Sequence, residues 1–368
     1  MFKKLESDLR DAKRPLFLVG GGAGTVPDLP YPCVVTWNAL DKVTPDMACY
    51  AGVVGTYGGP GRNFAVQSCD LLVAVGCRIS GRITGGMVDN FAPRAKKWQI
   101  DTEPKAEGDW IRWNIDANEF WPKLLLIAKQ DDWFWKTQEW VEKYDPVKPE
   151  HSKEFHHYGF MRKVSEYIPD DAIIVFDTGG SAIMMGHAFR PKKGQRIFSS
   201  NGNSPMGFAM CGAMGAWFAD KTRPIVCFIG DGGFNMNLQE LQTIVNYGIN
   251  IKIFILNNHC YGNTKLFQRY NYGSRFYACG PDGYSPPDFE KVVKSYKLVC
   301  RAVETYDDVE QIIRPGMRSA GKHWDYPCVY DVVHHDFYEY LPRISRFDQD
   351  LCDQDPPLPR EEWEANLA

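Results

Sequence analysis

Two short polar segments, each following an apolar run, carry side chains that could hold a hard metal ion. A Gly-Asp-Gly-Gly segment around Asp231 follows the run 224–229, and an Asn-Asn pair that includes Asn258 follows the run 251–256. Carboxylate and amide oxygens suit Mg²⁺, which usually keeps phosphate oxygens and water as its other ligands. The two segments therefore predict a magnesium site built from Asp231 and Asn258.

The glycines beside Asp231 would let a diphosphate group approach the backbone. Gly232 and Gly233 have no Cβ, so an anion can reach backbone N–H groups, and the start of a following helix would favour it further. A Gly-Asp-Gly turn alone is usually structural. The two motifs at this separation, with residues 233–256 between them, favour a Mg²⁺–diphosphate site over a turn and a capped strand.

The elements around these motifs should bring them to one edge of a sheet. Between the two apolar runs, apolar residues recur at helical spacing, at Leu238, Leu241, Ile244 and Val245. Strand, helix and strand then form a βαβ unit, and its right-handed crossover places both strand ends at the same edge. Ligands of open α/β sheets bind at that edge.

The same alternation of strands and helices extends along the chain and predicts an α/β fold. We expect two doubly wound parallel-sheet domains, at 1–128 and 153–340, joined by a linker at 129–152. An acidic tail at 341–368 is expected to wrap a neighbouring chain or to stay mobile. Buried strands are predicted at 15–19, 71–76, 98–101, 172–176, 224–229, 251–256 and 327–332, with a helical stretch near 62–69.

The composition is that of a globular protein of the cytosol. The 368 residues are 44% hydrophobic and 24% charged, with a formal net charge of −4 and no basic block that would bind nucleic acid. No run approaches the roughly 18 apolar residues of a membrane span. The 11 cysteines lack a CxxC pair and zinc-ligand spacing, which indicates reduced, buried thiols. We therefore predict a cytoplasmic protein that binds neither nucleic acid nor membranes.

Long segments of the chain resemble thiamine-diphosphate-dependent enzymes of the acetolactate synthase type. In the second domain these are residues 230–268 (GDGGFNMNLQELQTIVNYGINIKIFILNNHCYGNTKLFQ) and 205–215 (PMGFAMCGAMG). In the first domain, residues 52–86 and 91–104 (FAPRAKKWQIDTEP) resemble the central domain of that family. The resemblance covers most of 13–300 and implies thiamine diphosphate and Mg²⁺ as cofactors.

The resemblance also assigns roles to residues of the second domain. Asp231, Asn258 and the backbone carbonyl of Cys260 would bind Mg²⁺. Met206 would be the apolar wedge that bends the cofactor, and its N–H would bind the aminopyrimidine ring together with the Ser204 carbonyl. The other residues that the resemblance places at the cofactor, mostly at its diphosphate, are Gly180, Ser181, Gly230, Gly232, Gly233, Tyr261, Gly262 and Asn263.

The implied reaction is decarboxylation of a 2-oxo acid such as pyruvate, followed by carboligation to a carbonyl acceptor. Two alternatives are a simple 2-oxo acid decarboxylase and a non-catalytic assembly subunit. In the family, a glutamate of an N-terminal pyrimidine-binding domain activates the cofactor, and this chain starts where the second domain would start. We therefore expect a separate small subunit to supply that glutamate, with two copies of each chain in the complex.

Departures from the family pattern bear on the choice of substrate. Gly180 and Ser181 replace a Gln-His pair, Asn263 replaces a methionine, and Phe267 replaces a tryptophan that borders the acceptor pocket. Each change would enlarge or polarise the pocket. Phe267 is therefore predicted to be a catalytic-site residue at the pocket mouth.

Two other groups of residues attract attention. The glycine-rich turns at 20–22 and 76–78 resemble segments that contact FAD in the family. Such turns are commonly structural, so the sequence leaves both FAD binding and a purely structural role as alternatives. The short stretch 24–31 predicts that no helix separates the first two strands. The histidines at 151–187 and near 334 are predicted to lie at the surface or at an interface. His259 is an exception, because it directly follows the predicted metal ligand Asn258.

Overall fold

The structure, a computed structural model, describes residues 1–125, 131–317, 326–334, 339–344 and 350–368. The chain forms two compact units, one comprising Met1–Pro146 with Leu341–Ala368 and the other Val147–Tyr340. Each unit contains a six-stranded parallel sheet flanked by helices. The predicted α/β class with two parallel-sheet domains is therefore confirmed.

The sheet of the first unit has the strand order of dinucleotide-binding α/β folds. Its strands are β1 (Pro15–Val19), β2 (Cys33–Val35), β3 (Tyr50–Val53), β4 (Leu71–Val75), β5 (Lys96–Asp101) and β6 (Trp110–Asn114). They lie in the order β3-β2-β1-β4-β5-β6, and all neighbouring pairs are parallel. Strands β1 and β4 are apolar and wholly buried, as expected for parallel strands covered on both faces.

Five helices precede the second unit in the described part of the chain. They are α1 (Phe2–Asp11), α2 (Pro60–Ser68), α3 (Gly81–Thr84), α4 (Ala117–Phe120) and α5 (Asp132–Lys143), with 3₁₀ turns at Trp37–Ala39, Val88–Asn90 and Trp121–Lys123. Helix α2 begins at Pro60, whose fixed φ suits the first helical position. The fully described stretch between β1 and β2 contains no helix, as predicted.

The sheet of the second unit reverses its strand order beside β9. Its strands are β7 (Ile173–Phe176), β8 (Arg196–Phe198), β9 (Ile225–Gly230), β10 (Ile251–Asn257), β11 (Val299–Val303) and β12 (Cys328–Val333). They lie in the order β11-β12-β10-β9-β7-β8, again all parallel. After β7 the chain adds β8 on one side and then crosses to β9 on the other, so a topological switch point lies between β7 and β9.

Helices of the second unit alternate with these strands. They are α6 (His157–Tyr167), α7 (Gly180–His187), α8 (Phe208–Ala219), α9 (Asp231–Met236), α10 (Glu240–Tyr247), α11 (Gly262–Asn271), α12 (Phe289–Ser295), α13 (Tyr306–Asp308) and α14 (Arg314–Met317), with a 3₁₀ turn at Pro149–Ser152 and a π-helical turn at Val309–Ile313. No helix in the described ranges has the length and apolarity needed to cross a bilayer. The cysteines form no disulfide bond with one another, and all except Cys211 are buried.

The structure differs from the predicted linker at 129–152, because helix α5 lies inside it. The Asp131 side chain caps this helix by accepting a hydrogen bond from the Phe134 N–H at 3.2 Å. Trp133 and Trp140 of the helix belong to the hydrophobic core of the first unit. The acidic residues and prolines of this segment indicated a linker, whereas its buried tryptophans show that it forms a core-packing helix.

The structure also differs from the predicted tail at 341–368. Its described part forms β13 (Arg343–Ile344), an antiparallel partner β14 (Gln354–Asp355) and helix α15 (Arg360–Leu367), all within the first unit. Asn366 accepts a hydrogen bond from the Trp140 indole N–H at 3.0 Å and donates to the Tyr144 hydroxyl at 2.7 Å. The end of the chain is thus held by its own first unit.

Three histidines of the second unit are buried, so the prediction that they lie at the surface or at an interface is wrong. They are His157, His187 and His334. The rings of His156 and His157 lie 4.2 Å apart, measured between their centroids. Adjacent polar residues suggested exposure, but α6 begins at His157 and turns this end of the helix into the core. His335 lies outside the described residues.

Burial of His157 makes the stability of the protein depend on pH. Burial, with smaller contributions from neighbouring histidines, lowers the pKa of His157 well below its ordinary value. Above about pH 6.5 the folded and unfolded chains both hold this histidine neutral. As the pH falls further, only the unfolded chain takes up the proton, so the free energy of unfolding decreases by up to about 1.4 kcal/mol per pH unit.

We therefore expect His157→Phe to make this decrease shallower between about pH 6.5 and pH 5. The measurement is chemical denaturation of both proteins at several pH values. As a control, Val164→Ala removes buried methyl groups from the same helix and should lower stability equally at every pH. A slope in His157→Phe as steep as in the wild type would contradict the assignment.

Candidate functional site

The candidate site lies at the carboxyl edge of the second sheet, where three neighbouring strands end. Strands β9 and β10 pair in parallel with Gly230 opposite Leu256, so Asp231 and Asn258 lie beyond adjacent strand ends. Strand β7 flanks β9 on its other side and is followed directly by Asp177. This is the topological switch point of the sheet, the position at which open α/β sheets bind ligands.

A cavity of about 430 Å³ opens at this edge. The predicted site residues that line it are Gly180, Ser181, Met206, Gly230, Asp231, Gly232, Gly233, Asn258, Cys260, Tyr261, Gly262 and Asn263. The charged side chains of its described lining are Asp177 and Asp231, and no Lys, Arg or His lies among them. An anion bound here would therefore need a cation beside it to offset its charge.

Asp231 supplies a buried carboxylate at the end of β9. Its Oδ1 accepts a hydrogen bond from the Gly232 N–H at 2.9 Å. Its Oδ2 is buried and has no hydrogen bond of standard geometry among the described residues, although the Tyr284 hydroxyl is near enough to favour the charged form. Burial outweighs these contacts and raises the pKa of Asp231 to about 7. A divalent cation at this carboxylate would favour its charged form.

Two further oxygens lie in the loop that follows β10. The Asn258 Oδ1 accepts from the Cys260 N–H at 3.3 Å, and the Cys260 carbonyl accepts from the Gly262 N–H at 2.9 Å. Each oxygen has two lone pairs and so retains capacity to bind a metal ion. His259, between them in sequence, is exposed and does not line the cavity.

The first turn of α7 brings a hydroxyl group into the cavity. Ser181 is only 2% exposed, and its Oγ has no hydrogen-bond partner among the described residues. Gly179, with φ at +66°, makes the turn that precedes the helix. An unpaired buried hydroxyl costs free energy. The Ser181 hydroxyl is therefore available to bind a polar ligand in the cavity.

Met206 stands at the cavity on a turn that two side chains hold in place. Gly207 has φ at +86°; its N–H donates to Asp177 Oδ2 at 2.9 Å and its carbonyl accepts from Asn237 Nδ2 at 2.9 Å. Met206 is 40% exposed, and its Cε lies 3.1 Å from the point where a Cβ on Gly232 would stand. The turn thus presents a flexible apolar side chain beside Gly232, which follows the predicted metal ligand Asp231 in the chain.

Asp177 is a site residue that sequence reasoning missed. Burial raises the pKa of its carboxyl group, and hydrogen bonds from four backbone N–H groups partly offset this increase. A Cβ at Gly233 would clash with Asp177 Oδ2, so Gly233 is needed for close packing as well as for the predicted ligand contact. Asp177 follows the apolar run 172–176 as Asp231 follows the run 224–229, so the same strand-end signal identifies it.

The room left by Gly180 is occupied by another side chain of the second unit. A Cβ at Gly180 would clash with the hydroxyl group of Tyr340, which also lines the cavity. Tyr340 thus occupies the space beside Gly180, and the prediction that Gly180 and Ser181 enlarge or polarise the pocket stays a prediction. Tyr340 belongs to no motif in the sequence, and no local pattern identifies it.

Two predicted site residues lie outside the cavity lining. Ser204 has φ at +50° and donates its N–H to the Ser200 carbonyl at 2.7 Å. Phe267 lies on α11, is 48% exposed, and has its ring centroid 5.9 Å from that of Tyr272. Asn263, one turn earlier on the same face of α11, does line the cavity.

Glycines at the sheet edge of the first unit allow two loops to pack closely against each other. A Cβ at Gly20 would clash with the backbone of Gly76, and a Cβ at Gly76 would clash with Gly22. The Gly20 and Gly22 N–H groups donate to the carbonyls of Val75 and Gly76, each at 2.9 Å. Close packing explains these glycines, so they give no independent support for a flavin site.

Family models match both units of the chain. The model described as the central domain of thiamine pyrophosphate enzymes matches residues 3–115, and that of their C-terminal TPP binding domain matches residues 177–324. The second match contains the strand ends and most of the cavity residues described above. The chain therefore belongs to the thiamine pyrophosphate enzyme family and carries its central and C-terminal domains.

Relatives of the chain within this family are acetolactate synthase large subunits. The acetolactate synthase isozyme 2 large subunit of Escherichia coli is 28% identical over 334 residues, which cover 85% of this chain and 59% of that protein. A probable acetolactate synthase large subunit of Methanocaldococcus jannaschii is 29% identical over 368 residues, covering 93% of this chain and 61% of that protein. The large subunit of Cyanidium caldarium is 30% identical over 336 residues, covering 85% and 56%. The chain thus spans about three fifths of the length of these relatives.

Proposed function

We propose that this chain is the catalytic subunit of a carboligase that decarboxylates a 2-oxo acid such as pyruvate and joins the product to a carbonyl acceptor. The observation that carries the proposal is the acidic cavity at the switch point of the second sheet. It combines a buried carboxylate, an amide oxygen and an unpaired buried hydroxyl, and it lies within the segment that matches the TPP binding domain.

The residues of the cavity fit Mg²⁺ and a diphosphate group. Asp231, Asn258 Oδ1 and the Cys260 carbonyl would bind the metal ion, and the Ser181 hydroxyl would donate to a phosphate oxygen. In the described part of the chain, no group of three or more His, Cys, Asp or Glu residues could hold a metal. A set with one carboxylate suits Mg²⁺, which takes its remaining ligands from phosphate and water. Thiamine diphosphate, when bound, supplies the carbanion chemistry of decarboxylation.

Met206 and the turn at Gly207 would orient the cofactor. The exposed Met206 side chain gives an apolar support, while the Asp177 and Asn237 hydrogen bonds fix the position of the backbone that carries it. We extend the proposal to the Met206 N–H and the Ser204 carbonyl as contacts of the aminopyrimidine ring. A support that is fixed before binding lowers the cost of orienting the ligand.

A partner chain would supply the activating glutamate. The described lining of the cavity contains two aspartates and no glutamate, and both aspartates have other contacts. Met206 is exposed at the cavity, and Cys211 and Phe218 are exposed two turns apart on one face of α8, so apolar surface is available to a partner. We propose a small subunit with a pyrimidine-binding domain and an assembly of two copies of each chain, because most assemblies close by two-fold symmetry. Cytoplasmic localisation remains a prediction.

Asp231→Ala should abolish the Mg²⁺-dependent binding of thiamine diphosphate. Loss of a residue that supports a metal ligand typically costs 10–100-fold in affinity, so loss of the ligand itself should cost at least about 100-fold. Isothermal titration with thiamine diphosphate and Mg²⁺ measures the effect. The exposed Asp307→Ala serves as the matched control and should bind like the wild type. An unchanged affinity in Asp231→Ala would remove this residue from the site.

Phe267→Trp should narrow the choice of acceptor in the active assembly. The larger indole ring would restrict the rim of the cavity one turn beyond Asn263 on α11. Competition between a short and a bulky carbonyl acceptor measures the product ratio. Tyr247→Trp, an exposed aromatic change on α10, is the control and should leave that ratio unchanged. If the ratio is also unchanged in Phe267→Trp, Phe267 has no role in acceptor choice.

The 368-residue chain alone should not activate thiamine diphosphate. Proton exchange at C2 of the cofactor, followed by NMR, should be negligible with the purified chain, because the described lining of the cavity contains no glutamate that could promote it. Addition of a chain with a pyrimidine-binding domain should restore exchange, and mutation of that chain's glutamate should abolish it again. Rapid exchange with the purified chain alone would refute the proposal that a partner chain supplies the activating glutamate.

A further inference from the structure

Tyr340 places its hydroxyl group among three residues of the predicted diphosphate and metal site. The Asn258 Nδ2 donates to this hydroxyl at 3.4 Å. The hydroxyl lies 3.0 Å from the point where a Cβ on Gly262 would stand, and it would clash with a Cβ on Gly180. Glycine at both positions is therefore what makes room for the phenol.

The aromatic ring that carries this hydroxyl group is buried and packed against a neighbouring ring. Tyr340 is only 5% exposed. Its ring meets that of the buried His157 edge to face, with centroids 5.5 Å apart and planes at 83°. Tyr340 also lines the cavity. A polar group carried on a buried, packed ring has a fixed position before any ligand arrives, as preorganised binding groups do.

We propose that Tyr340 is a binding residue for the Mg²⁺-bound diphosphate, an inference that rests on the proposed function of the cavity. Its hydroxyl oxygen accepts from Asn258 Nδ2, and its proton can be donated to a phosphate oxygen. The first contact orients the Asn258 amide so that Oδ1 is the atom available to the metal. The second adds a neutral donor in a cavity whose described lining has no basic side chain.

The test is isothermal titration of the full chain with Mg²⁺–pyrophosphate and, separately, with thiamine diphosphate and Mg²⁺. Tyr340→Phe removes one oxygen atom and keeps the packed ring, and it should weaken binding of both ligands roughly tenfold or more, as expected for a lost hydrogen bond to a charged group. Tyr247→Phe, which changes an exposed tyrosine of α10, should bind like the wild type.

A second variant tests the same contact without touching the tyrosine. Gly180→Ala places a methyl group against the Tyr340 hydroxyl and should also weaken binding of both ligands. Gly215→Ala adds a methyl group where nothing lies within 4 Å and is the matched control. Thermal unfolding without ligand measures the folded fraction of each variant, and affinities are compared per folded molecule. Tyr340→Phe decides the question, because Gly180 is itself a predicted cofactor contact.

The outcomes separate this inference from the function on which it rests. Binding by the wild type with a loss of roughly tenfold or more in Tyr340→Phe, as expected for the missing hydrogen bond, supports the inference. Binding by Tyr340→Phe that matches the wild type overturns it and leaves the proposed function in place. Failure of the wild type to bind either ligand in the presence of Mg²⁺ overturns the proposed function, and this inference with it.

Discussion

A diphosphate group can enter a buried cavity only if its negative charge is offset there, and the cavity of the second unit contains no basic side chain in its described lining to do so. The unit instead offers oxygen ligands for a cation and neutral donors for the anion. The buried Asp231 carboxylate is central to this arrangement, because burial raises its pKa to about 7 and a nearby cation would favour its charged form. The metal ion and the carboxylate would thus each stabilise the other.

The order of the strands makes this arrangement possible. Strands β10, β9 and β7 are neighbours in the sheet, because the chain adds β8 beyond β7 and then crosses back to place β9 on the other side of β7. Asp231, Asn258 and Asp177 each follow one of these strands. Side chains that are distant in sequence are thus gathered at one edge, and close packing of Gly233 on Asp177 ties two of the strand ends together.

Sequence reasoning succeeds where a local pattern carries the information. The apolar runs that end at Asp231 and Asn258 predict both the strands and the polar residues beyond them, and β7, β9, β10 and β12 of the second sheet lie where such runs occur. Strands β2 and β8 have three residues each, too few to show a pattern. Tyr340 lies 82 residues from Asn258, and only the folded chain brings the two together. The burial of His157 likewise depends on packing between distant elements.

The central claim is that the second unit binds Mg²⁺ and diphosphate through Asp231, Asn258 and the Cys260 carbonyl. A crystal structure of the chain with thiamine diphosphate and Mn²⁺ in place of Mg²⁺ tests it most directly, because anomalous scattering locates the metal ion without reference to the protein. The account predicts one Mn²⁺ at the carboxyl edge of β9 and β10, roughly 2.0–2.2 Å from these three oxygens and from phosphate oxygens. A metal ion located elsewhere, or one that these oxygens do not contact, would contradict it.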